Sequence, residues 1–300
     1  MRTVSLLPAG TEIVAALGAL DGLVGVTHEC DYPAEVRSRA QVTSSTVDGE
    51  SAPGAVNGQV RALAQGGSPL FTLHERTIAA LRPELVLTQA LCDVCAVSET
   101  DVRALVRRLR PEPRVVTLSA STLDGVFDDV AHVAAALGAT DAGDRLLGEL
   151  RGRLRLVHDT LKAARAPRPR VAVVEWTDPV YAAGHWVPEM VRRAGGVDAL
   201  ATPGEHSRPR TASEVCAAEP EVSLVAPCGY GVVRAAREAA RLLDEDAWAW
   251  ARDRRVWAVD ANGLVTRPGP RLVDGVELFA RIFNPGLFPP LYSAQAARIA

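Results

Sequence analysis

The amino-acid sequence predicts an α/β protein of two Rossmann-like lobes, each with a mostly parallel sheet, joined by one long α-helix, with a ligand cleft between the lobes. Three observations predict this fold. Strand-like and helix-like segments alternate in both halves of the 300-residue chain. A polar stretch with one apolar stripe separates the halves, and each half carries an x-Pro-Glu motif before a buried strand. The predicted domains are residues 1–138, the linking helix 139–166, and residues 167–300.

The linking segment predicts one uninterrupted helix over residues 139–165. Gly138 ends the preceding helix, and Pro167 and Pro169 stop the linking helix at its far end. At about 1.5 Å per residue this helix would span roughly 37 Å, so it can join two lobes and leave a cleft between them. Its apolar residues recur at spacings of one, three or four and form a single stripe. The stripe consists of Leu146, Leu147, Leu150, Leu154, Val157 and Leu161.

In the first half, the strands are short apolar runs and the helices are bounded by caps or helix breakers. Pro8-Ala9-Gly10 leads into the first helix, and Gly18 ends it. The second strand delivers His28-Glu29-Cys30-Asp31-Tyr32-Pro33 to a strand end, where open α/β sheets bind ligands. Residues 43–58, rich in Ser, Thr, Gly and Pro, predict a long loop. The predicted strands are 3–7, 23–26, 85–88 and 114–118, and the predicted helices are 11–17, 59–65, 74–81, 101–109 and 123–137.

The second half repeats this order of elements. Segments 79–87 and 217–225 each contain a helix end, x-Pro-Glu, a buried strand and then a loop with cysteine, so the halves are predicted to be weak structural repeats. Gly195-Gly196 closes the first helix of this half. The predicted strands are 171–176, 222–226 and 256–259, the helices are 187–194, 213–218, 232–243 and 272–283, and a polar loop covers 260–270.

Composition and missing motifs exclude several classes of protein. A formal net charge of −3 and a pI of about 6.1 give no basic surface for nucleic acid. The only lysine, Lys162, follows Leu161 rather than a glycine, which excludes a P-loop nucleotidase. The chain has no Gly-x-Ser-x-Gly or His-Glu-x-x-His motif, so no enzyme is predicted. It also has no run of 18 apolar residues, so no membrane-spanning segment is predicted.

The start of the chain and its cysteines predict a cellular location. Glu12 interrupts the first apolar run and Arg2 is the only cationic residue before it, which does not match an export signal. Five cysteines are an odd number, which favours reduced thiols. The sequence therefore predicts a cytoplasmic protein. A periplasmic or cell-surface location is the alternative if the start site is misassigned, and the oligomeric state is not predicted.

The cysteines also suggest a metal site. Cys92 and Cys95, in a Cys-x-x-Cys motif, can chelate one soft metal ion, and Cys30 with His28 would complete a tetrahedral site. The alternative is that these thiols are small buried hydrophobic groups. A thioredoxin-like redox pair would need a different fold. A metal ion held by Cys30, Cys92 and Cys95 is therefore one hypothesis, and a cysteine-dependent metal protein or enzyme on this fold is the alternative function.

Aromatic side chains of the second half are candidates for a ligand wall. Trp176, Tyr181 and His185-Trp186 would lie at strand ends of the second lobe. The alternative is that Trp176 and Tyr181 pack near the rim of the sheet. Glu205 and His206 lie in a loop bounded by Gly and Pro that can reach the cleft.

An anionic group of a ligand has two candidate partners in the second half. Cys228-Gly229-Tyr230-Gly231, after a strand and before a helix, would present backbone N–H groups to an anion. A tight strand-to-helix turn explains these glycines equally well. Arg267, at the start of Arg-Pro-Gly-Pro, is the cation assigned to such a group.

Short segments spread over nearly the whole chain share one known pattern: 4–12 (Val-Ser-Leu-Leu-Pro-Ala-Gly-Thr-Glu), 23–26 with 31–33 (Asp-Tyr-Pro), 80–86, 183–184, 194–196 and 267–271 (Arg-Pro-Gly-Pro-Arg). With these segments the chain resembles the helical-backbone (class III) substrate-binding proteins of ABC importers for vitamin B12, haem and iron-siderophores. It is most similar to the cobalamin-binding branch. The similarity is strongest to signal-less relatives that carry His-Glu-Cys-Asp-Tyr-Pro and Leu-Cys-Asp-Val-Cys.

The resemblance implies a non-catalytic protein that binds cobalamin, or a related corrinoid or metal chelate, and hands it to an ABC permease or keeps it inside the cell. It implies ligand contacts from residues 28–32, 89–95 and 263–267. The chain departs from the cobalamin binders at Gln89, where they often place an aromatic ring, and lacks the aromatic residue expected near Glu29. A structural or regulatory module is a further alternative. The predicted ligand-binding residues are His28, Glu29, Cys30, Tyr32, Gln89, Cys92, Cys95, Trp176, His185, Trp186, Cys228, Tyr230 and Arg267.

Overall fold

The computed structural model describes residues 1–91, 97–290 and 294–300. The chain divides into two compact units, which we call the N-terminal unit and the C-terminal unit. The N-terminal unit contains Met1–Ala120 and Asp124–Gly148, and the C-terminal unit contains Ser121–Leu123 and Glu149–Ala300. Each unit has its own sheet flanked by helices. The α/β fold with two mostly parallel sheets is therefore confirmed.

The N-terminal unit contains a five-stranded sheet with the strand order β3-β2-β1-β6-β7, in which every pair is parallel. Val4 in β1 and Leu85 and Leu87 in β6 are fully buried, as expected for parallel strands covered on both faces. The elements in chain order are β1 (Thr3–Ser5), α1 (Pro8–Ala16), β2 (Leu23–Val26), β3 (Ala40–Gln41), β4 (Thr43–Ser45), α2 (Pro53–Gln65), β5 (Phe71–Leu73), α3 (Glu75–Leu81), β6 (Leu85–Gln89), α4 (Glu99–Val106), β7 (Arg114–Leu118) and α5 (Leu123–Leu137).

The predicted loop over residues 43–58 is wrong at both ends. Thr43–Ser45 forms β4, which pairs antiparallel with β5 in a separate two-stranded sheet. Pro53 begins α2, where a proline fits because the first helical N–H has no partner inside the helix. The high content of Ser, Thr and Gly hid both elements, since these residue types favour turns when judged locally.

The linking helix is continuous. It is α6 (Thr140–Ala163), with 24 residues, and the division between the two units falls inside it, after Gly148. Within the C-terminal unit, the guanidinium of Arg153 donates two hydrogen bonds to Glu277, of 2.8 and 2.9 Å, and a third to Asp274. A bidentate arginine–carboxylate pair fixes orientation as well as distance. This second half of the helix is therefore held by an ion-pair network in addition to its apolar stripe.

The C-terminal unit contains a sheet with the order β11-β9-β8-β12-β13-β14, and β10 also pairs with β8. Strands β8, β12 and β13 are parallel, whereas β9, β11 and β14 run antiparallel to their neighbours. The elements are β8 (Arg170–Thr177), β9 (Val180–Ala182), α7 (Val187–Arg193), β10 (Val197–Asp198), β11 (Arg208–Pro209), α8 (Ala212–Ala217), β12 (Val222–Val225), α9 (Val232–Asp244), β13 (Arg255–Val259), α10 (Ala261–Leu264), α11 (Leu272–Phe283) and β14 (Ala296–Arg298).

The two x-Pro-Glu motifs form the same corner in the two units. In each motif the residue before proline has a φ of 47°. Glu84 donates its backbone N–H to the carbonyl of Arg2 at 2.7 Å, and its carboxylate accepts from the N–H of Arg2 at 2.6 Å. Glu221 makes the equivalent bonds with Arg170, at 2.9 and 3.0 Å. Each glutamate thus ties the start of one buried strand to the start of its parallel neighbour.

Candidate functional site

His28 lies just beyond the carboxyl end of β2, where the predicted polar cluster begins. Its ring Nδ1 is 2.9 Å from the hydroxyl oxygen of Thr43, and its ring centroid is 6.0 Å from that of Phe71. The His74 ring is fixed at both nitrogens, by the carbonyl of Gln41 and the hydroxyl of Ser44, each at 3.2 Å. Burial lowers the pKa of His28, and His74 lowers it further. At neutral pH His28 is therefore an uncharged imidazole.

Cys30 faces the interior of the N-terminal unit. Its side chain is 6% exposed, and its sulfur lies 3.1 Å from the hydroxyl oxygens of both Thr11 and Thr27. Its backbone N–H donates to the carbonyl of Thr27 at 3.2 Å. The thiol thus joins the start of α1 to the turn after β2.

The other predicted residues of this unit are more accessible. Glu29 is exposed, Tyr32 is 47% exposed, and Gln89 is half-buried at the carboxyl end of β6. Cys92 and Cys95 lie outside the described residues. Within ranges 1–91, 97–290 and 294–300, no group of three or more His, Cys, Asp or Glu side chains is arranged to hold a metal ion. The metal site at Cys30, Cys92 and Cys95 stays a prediction.

Three side chains of the C-terminal unit form what we call the aromatic corner: Trp176, Tyr230 and Arg234. Trp176 lies near the carboxyl end of β8, and its ring meets that of Tyr230 edge-on, with centroids 5.5 Å apart. The guanidinium of Arg234 lies 3.8 Å from the centroid of the Tyr230 ring. Tyr230 is buried, whereas Trp176 is half-buried and donates its indole N–H to the carbonyl of Asp178 at 3.1 Å. Cys228, in the loop before Tyr230, is exposed.

Trp186 and Arg267 are buried within the C-terminal unit. Trp186 is 6% exposed, and its indole N–H donates to the carbonyl of Val265 at 2.7 Å. Arg267, two residues further along this loop, is 8% exposed. The bond from Trp186 therefore connects the loop after β9 with the loop after α10, which carries Arg267.

His185 pairs with His206, whose partnership the sequence did not predict. Nε2 of His185 lies 3.1 Å from Nδ1 of His206, and the two rings are nearly perpendicular, at 88°. His185 is half-buried and His206 is exposed. Burial lowers the pKa of His185, and His206 lowers it further. We call these two residues the histidine pair.

Two units built on parallel sheets and connected through one long helix define the class of helical-backbone substrate-binding proteins. The chain belongs to the family described as "Periplasmic binding protein", whose profile matches residues 4–250. Members of this family are ABC-transporter components that bind small ligands, and they are not enzymes.

Similar proteins cover nearly the whole chain. The "Uncharacterized ABC transporter substrate-binding lipoprotein YvrC" of Bacillus subtilis (strain 168) is 25% identical over 96% of this chain and 81% of its own. The "Vitamin B12-binding protein" of Vibrio cholerae serotype O1 is 23% identical over 92% of this chain and 86% of its own. The solved structure of the periplasmic heme-binding protein BhuT, in complex with two hemes, is 26% identical, has a TM-score of 0.70, and covers 96% of this chain and 99% of its own.

The expectation of a cytoplasmic protein is wrong. The similar proteins include a lipoprotein and a periplasmic protein, and these point to a location outside the cytoplasm. Among the described residues, no helix combines the length and the apolar character needed to cross a membrane. The prediction failed because neither the first residues nor an odd number of cysteines determines where a protein is located.

Proposed function

We propose that this protein captures a flat, metal-centred tetrapyrrole, either a corrinoid or a porphyrin, outside the cytoplasm and delivers it to an ABC permease without catalysing a reaction. The observation that carries this proposal is the aromatic corner: a half-buried Trp176 held edge-on against Tyr230, with a guanidinium beside them.

The aromatic corner matches the chemistry of such a ligand. A macrocycle gains affinity mainly from aromatic contact and apolar burial. Trp176 is a suitable anchor because its indole N–H is already bonded to Asp178, so little side-chain freedom remains to be lost on binding. Arg234 adds a cation next to the rings, and the acidic groups of a haem or the phosphate of a cobalamin favour a guanidinium.

The similar proteins support the same ligand class. The Vibrio cholerae relative is named for vitamin B12, and the BhuT structure holds hemes. Haem and cobalamin share a large flat ring, a central metal and at least one negatively charged group, the propionates of haem and the phosphate of cobalamin. We propose this shared chemistry as the cargo, and cobalamin as one of its two forms.

Equilibrium titration of the purified protein tests the proposal. We expect quenching of tryptophan fluorescence by Fe(III)-protoporphyrin or by hydroxocobalamin, with a Kd of about 1 μM or lower, which corresponds to about −8 kcal/mol. A bulky hydroxamate siderophore, which presents no flat ring, should bind at least about tenfold more weakly. If neither tetrapyrrole binds, or if the siderophore binds more tightly, the proposal is wrong.

A pair of tryptophan variants locates the contact. Trp176→Ala should weaken tetrapyrrole binding about tenfold, since a buried aromatic contact contributes about 1.4 kcal/mol in this range. Trp250→Ala is the matched control, because Trp250 is also a half-buried tryptophan of the C-terminal unit but stacks on Trp248, with centroids 5.8 Å apart. Equal losses of affinity in the two variants would show that the aromatic corner is not part of the binding site.

A further inference from the structure

The histidine pair is built by the pairing of two short strands. His185 follows β9 and His206 precedes β11, and these strands pair antiparallel, with Arg208 opposite Ala182. The segment after β9, which carries His185, and the segment before β11, which carries His206, therefore lie against each other. The backbone N–H of His185 donates to the carbonyl of Glu205 at 2.6 Å, and the N–H of Gly204 donates to the carbonyl of His185 at 2.9 Å.

The backbone around the pair is tightly constrained. His185 has a φ of 54°, a left-handed conformation that a residue with a Cβ rarely adopts. At Gly184 an added Cβ would lie 2.4 Å from the nitrogen of Ser207 and 2.5 Å from the carbonyl oxygen of Glu205. Only glycine permits this approach, and the approach places the two imidazoles within hydrogen-bond distance.

The two imidazoles differ in accessibility. Nε2 of half-buried His185 lies 3.1 Å from Nδ1 of His206, so one of these two nitrogens carries the shared proton. His206 is able to bind a metal when its own Nδ1–H donates to Nε2 of His185. That hydrogen bond fixes the tautomer of His206 and leaves its Nε2 lone pair unprotonated. His206 is exposed, and its Nε2 makes no hydrogen bond with any residue that the structure describes.

We propose that Nε2 of His206 coordinates the metal centre of the cargo and that His185 is a positioning residue that orients it. The inference rests on the proposed function and narrows its cargo to tetrapyrroles whose iron or cobalt carries an exchangeable water at an axial position. The imidazole lone pair forms the new bond, a water ligand leaves the metal, and no proton or electron is transferred. A ligating histidine commonly has its second ring nitrogen hydrogen-bonded in this way.

Visible spectroscopy of the full chain tests this assignment with three probes: Fe(III)-protoporphyrin IX, hydroxocobalamin and metal-free protoporphyrin IX. Wild-type protein should shift the absorption bands of at least one metal compound, and the compound that shifts identifies the cargo as porphyrin or corrinoid. His206→Ala should abolish the shift and weaken binding of that compound about tenfold or more. Binding of metal-free protoporphyrin should not change, and added imidazole should restore the spectrum of the His206→Ala complex.

Two further variants separate ligand, positioning residue and background. His185→Ala should keep a shifted spectrum but weaken metal-dependent binding, because the orienting acceptor is lost while the ligand remains. His158→Ala, which removes another exposed histidine of the C-terminal unit, should match wild type. Thermal unfolding of each variant checks that the fold is intact.

The outcomes separate the two proposals. If a metal compound binds and its spectrum is the same in His206→Ala and wild type, the coordination proposal is overturned while the proposed function stands. A wild-type complex without any spectral shift has the same meaning. If none of the three probes binds, the proposed function and the coordination proposal are both overturned.

Discussion

The half-buried histidines of the two units, His28 and His185, differ in what surrounds them. Both have a lowered pKa, with burial as the main cause and a second histidine as a further cause. In the N-terminal unit the second histidine, His74, is fixed at both ring nitrogens by Gln41 and Ser44. In the C-terminal unit the second histidine, His206, is exposed and is bonded through one nitrogen.

This difference separates a structural role from a ligating role. A histidine with both nitrogens occupied stabilises the segments that it connects, as His74 does for β3 and β4. A histidine held through one nitrogen keeps the other for a ligand. His28 and His185 both have a lowered pKa, so the pKa does not distinguish the two sites. The hydrogen-bond partners of the second histidine in each unit do.

Two aspartates, buried Asp129 of the N-terminal unit and half-buried Asp198 of the C-terminal unit, extend the comparison. Oδ2 of Asp129 accepts from the backbone N–H groups of Ser119 and Ala120, and Oδ1 of Asp198 accepts from those of Leu200 and Ala201. Burial is the main cause that raises both pKa values, that of Asp198 to about 6. Oδ2 of Asp198 is buried and has no hydrogen-bond partner among the described residues. Of the two carboxylates, that of Asp198 is therefore the one with a buried oxygen that lacks a hydrogen bond within the described residues.

The largest expected effect comes from a substitution that disturbs the backbone next to His185 and so separates the histidine pair. Gly184→Ala should lower the free energy of unfolding by about 2 to 3 kcal/mol, because the new Cβ would overlap backbone atoms of Ser207 and Glu205. It should also abolish the spectral shift of the bound metal compound. Chemical denaturation and visible titration measure the two effects.

Gly148→Ala is the control for this change. An added Cβ at Gly148 meets no atom within 4 Å, and the residue lies inside α6. Alanine there should stabilise the protein by about 0.5 to 1 kcal/mol and leave the spectrum unchanged. A Gly184→Ala protein with wild-type stability and spectrum would show that the close approach is not needed.

The next effect concerns the aspartates and depends on pH. Ionised Asp198 is unfavourable in the folded state, so its penalty is complete above pH 6 and absent below its ordinary pKa of 3.8. Asp198→Asn should raise the free energy of unfolding at pH 7.5 by up to about 3 kcal/mol, the equivalent of this pKa difference. The gain should shrink towards zero at pH 3.5.

Urea denaturation at several pH values measures this gain. Asp129→Asn is the matched variant, since it also removes a carboxylate that accepts two backbone N–H groups. We expect a smaller gain there, because Asp129 has no comparable orphaned oxygen among the described atoms. A gain for Asp198→Asn that is independent of pH would contradict the role of ionisation.

The sequence predicts regular elements well where periodicity and breakers agree. Helices α5 and α11 and strand β7 lie at the predicted residues. Their apolar residues follow one clear period, and their ends are marked by glycine, proline or polar residues. Strand β11 has two residues, which is too few for any periodic signal, so no pattern indicates that His206 would be brought to His185.

For the same reason, the sequence predicted the positions of some residues of the candidate site but missed their partners. Positions at or just beyond the carboxyl ends of buried strands, such as Trp176 and His28, follow from the sheet itself. The partners of His28 were missed because Thr43, in β4, lies in the predicted loop, and Phe71, in β5, lies in a stretch for which no element was predicted. Contacts across 15 or more residues depend on pairing that local sequence does not encode.

The smallest expected effect comes from removing a contact of His28, the half-buried histidine of the N-terminal unit. Thr43→Val removes the hydroxyl that contacts the His28 ring and should lower the free energy of unfolding by about 1 kcal/mol. It should not alter the spectrum of bound metal cargo. Thr72→Val, on the exposed face of β5, is the control and should have little effect. If Thr43→Val lost the absorption shift of the bound metal compound to the same extent as His206→Ala, the assignment of a structural role to one histidine site and a ligating role to the other would be wrong.

The central claim is that the cargo is a tetrapyrrole recognised in part through its metal. Isothermal titration of the wild-type protein with Fe(III)-protoporphyrin IX, hydroxocobalamin and metal-free protoporphyrin IX tests it most directly. We expect one metal compound to bind at least about tenfold more tightly than the metal-free ring, a difference of about 1.4 kcal/mol in binding free energy. Equal affinities for the metal compounds and the metal-free ring, or no binding of any of them, would contradict it.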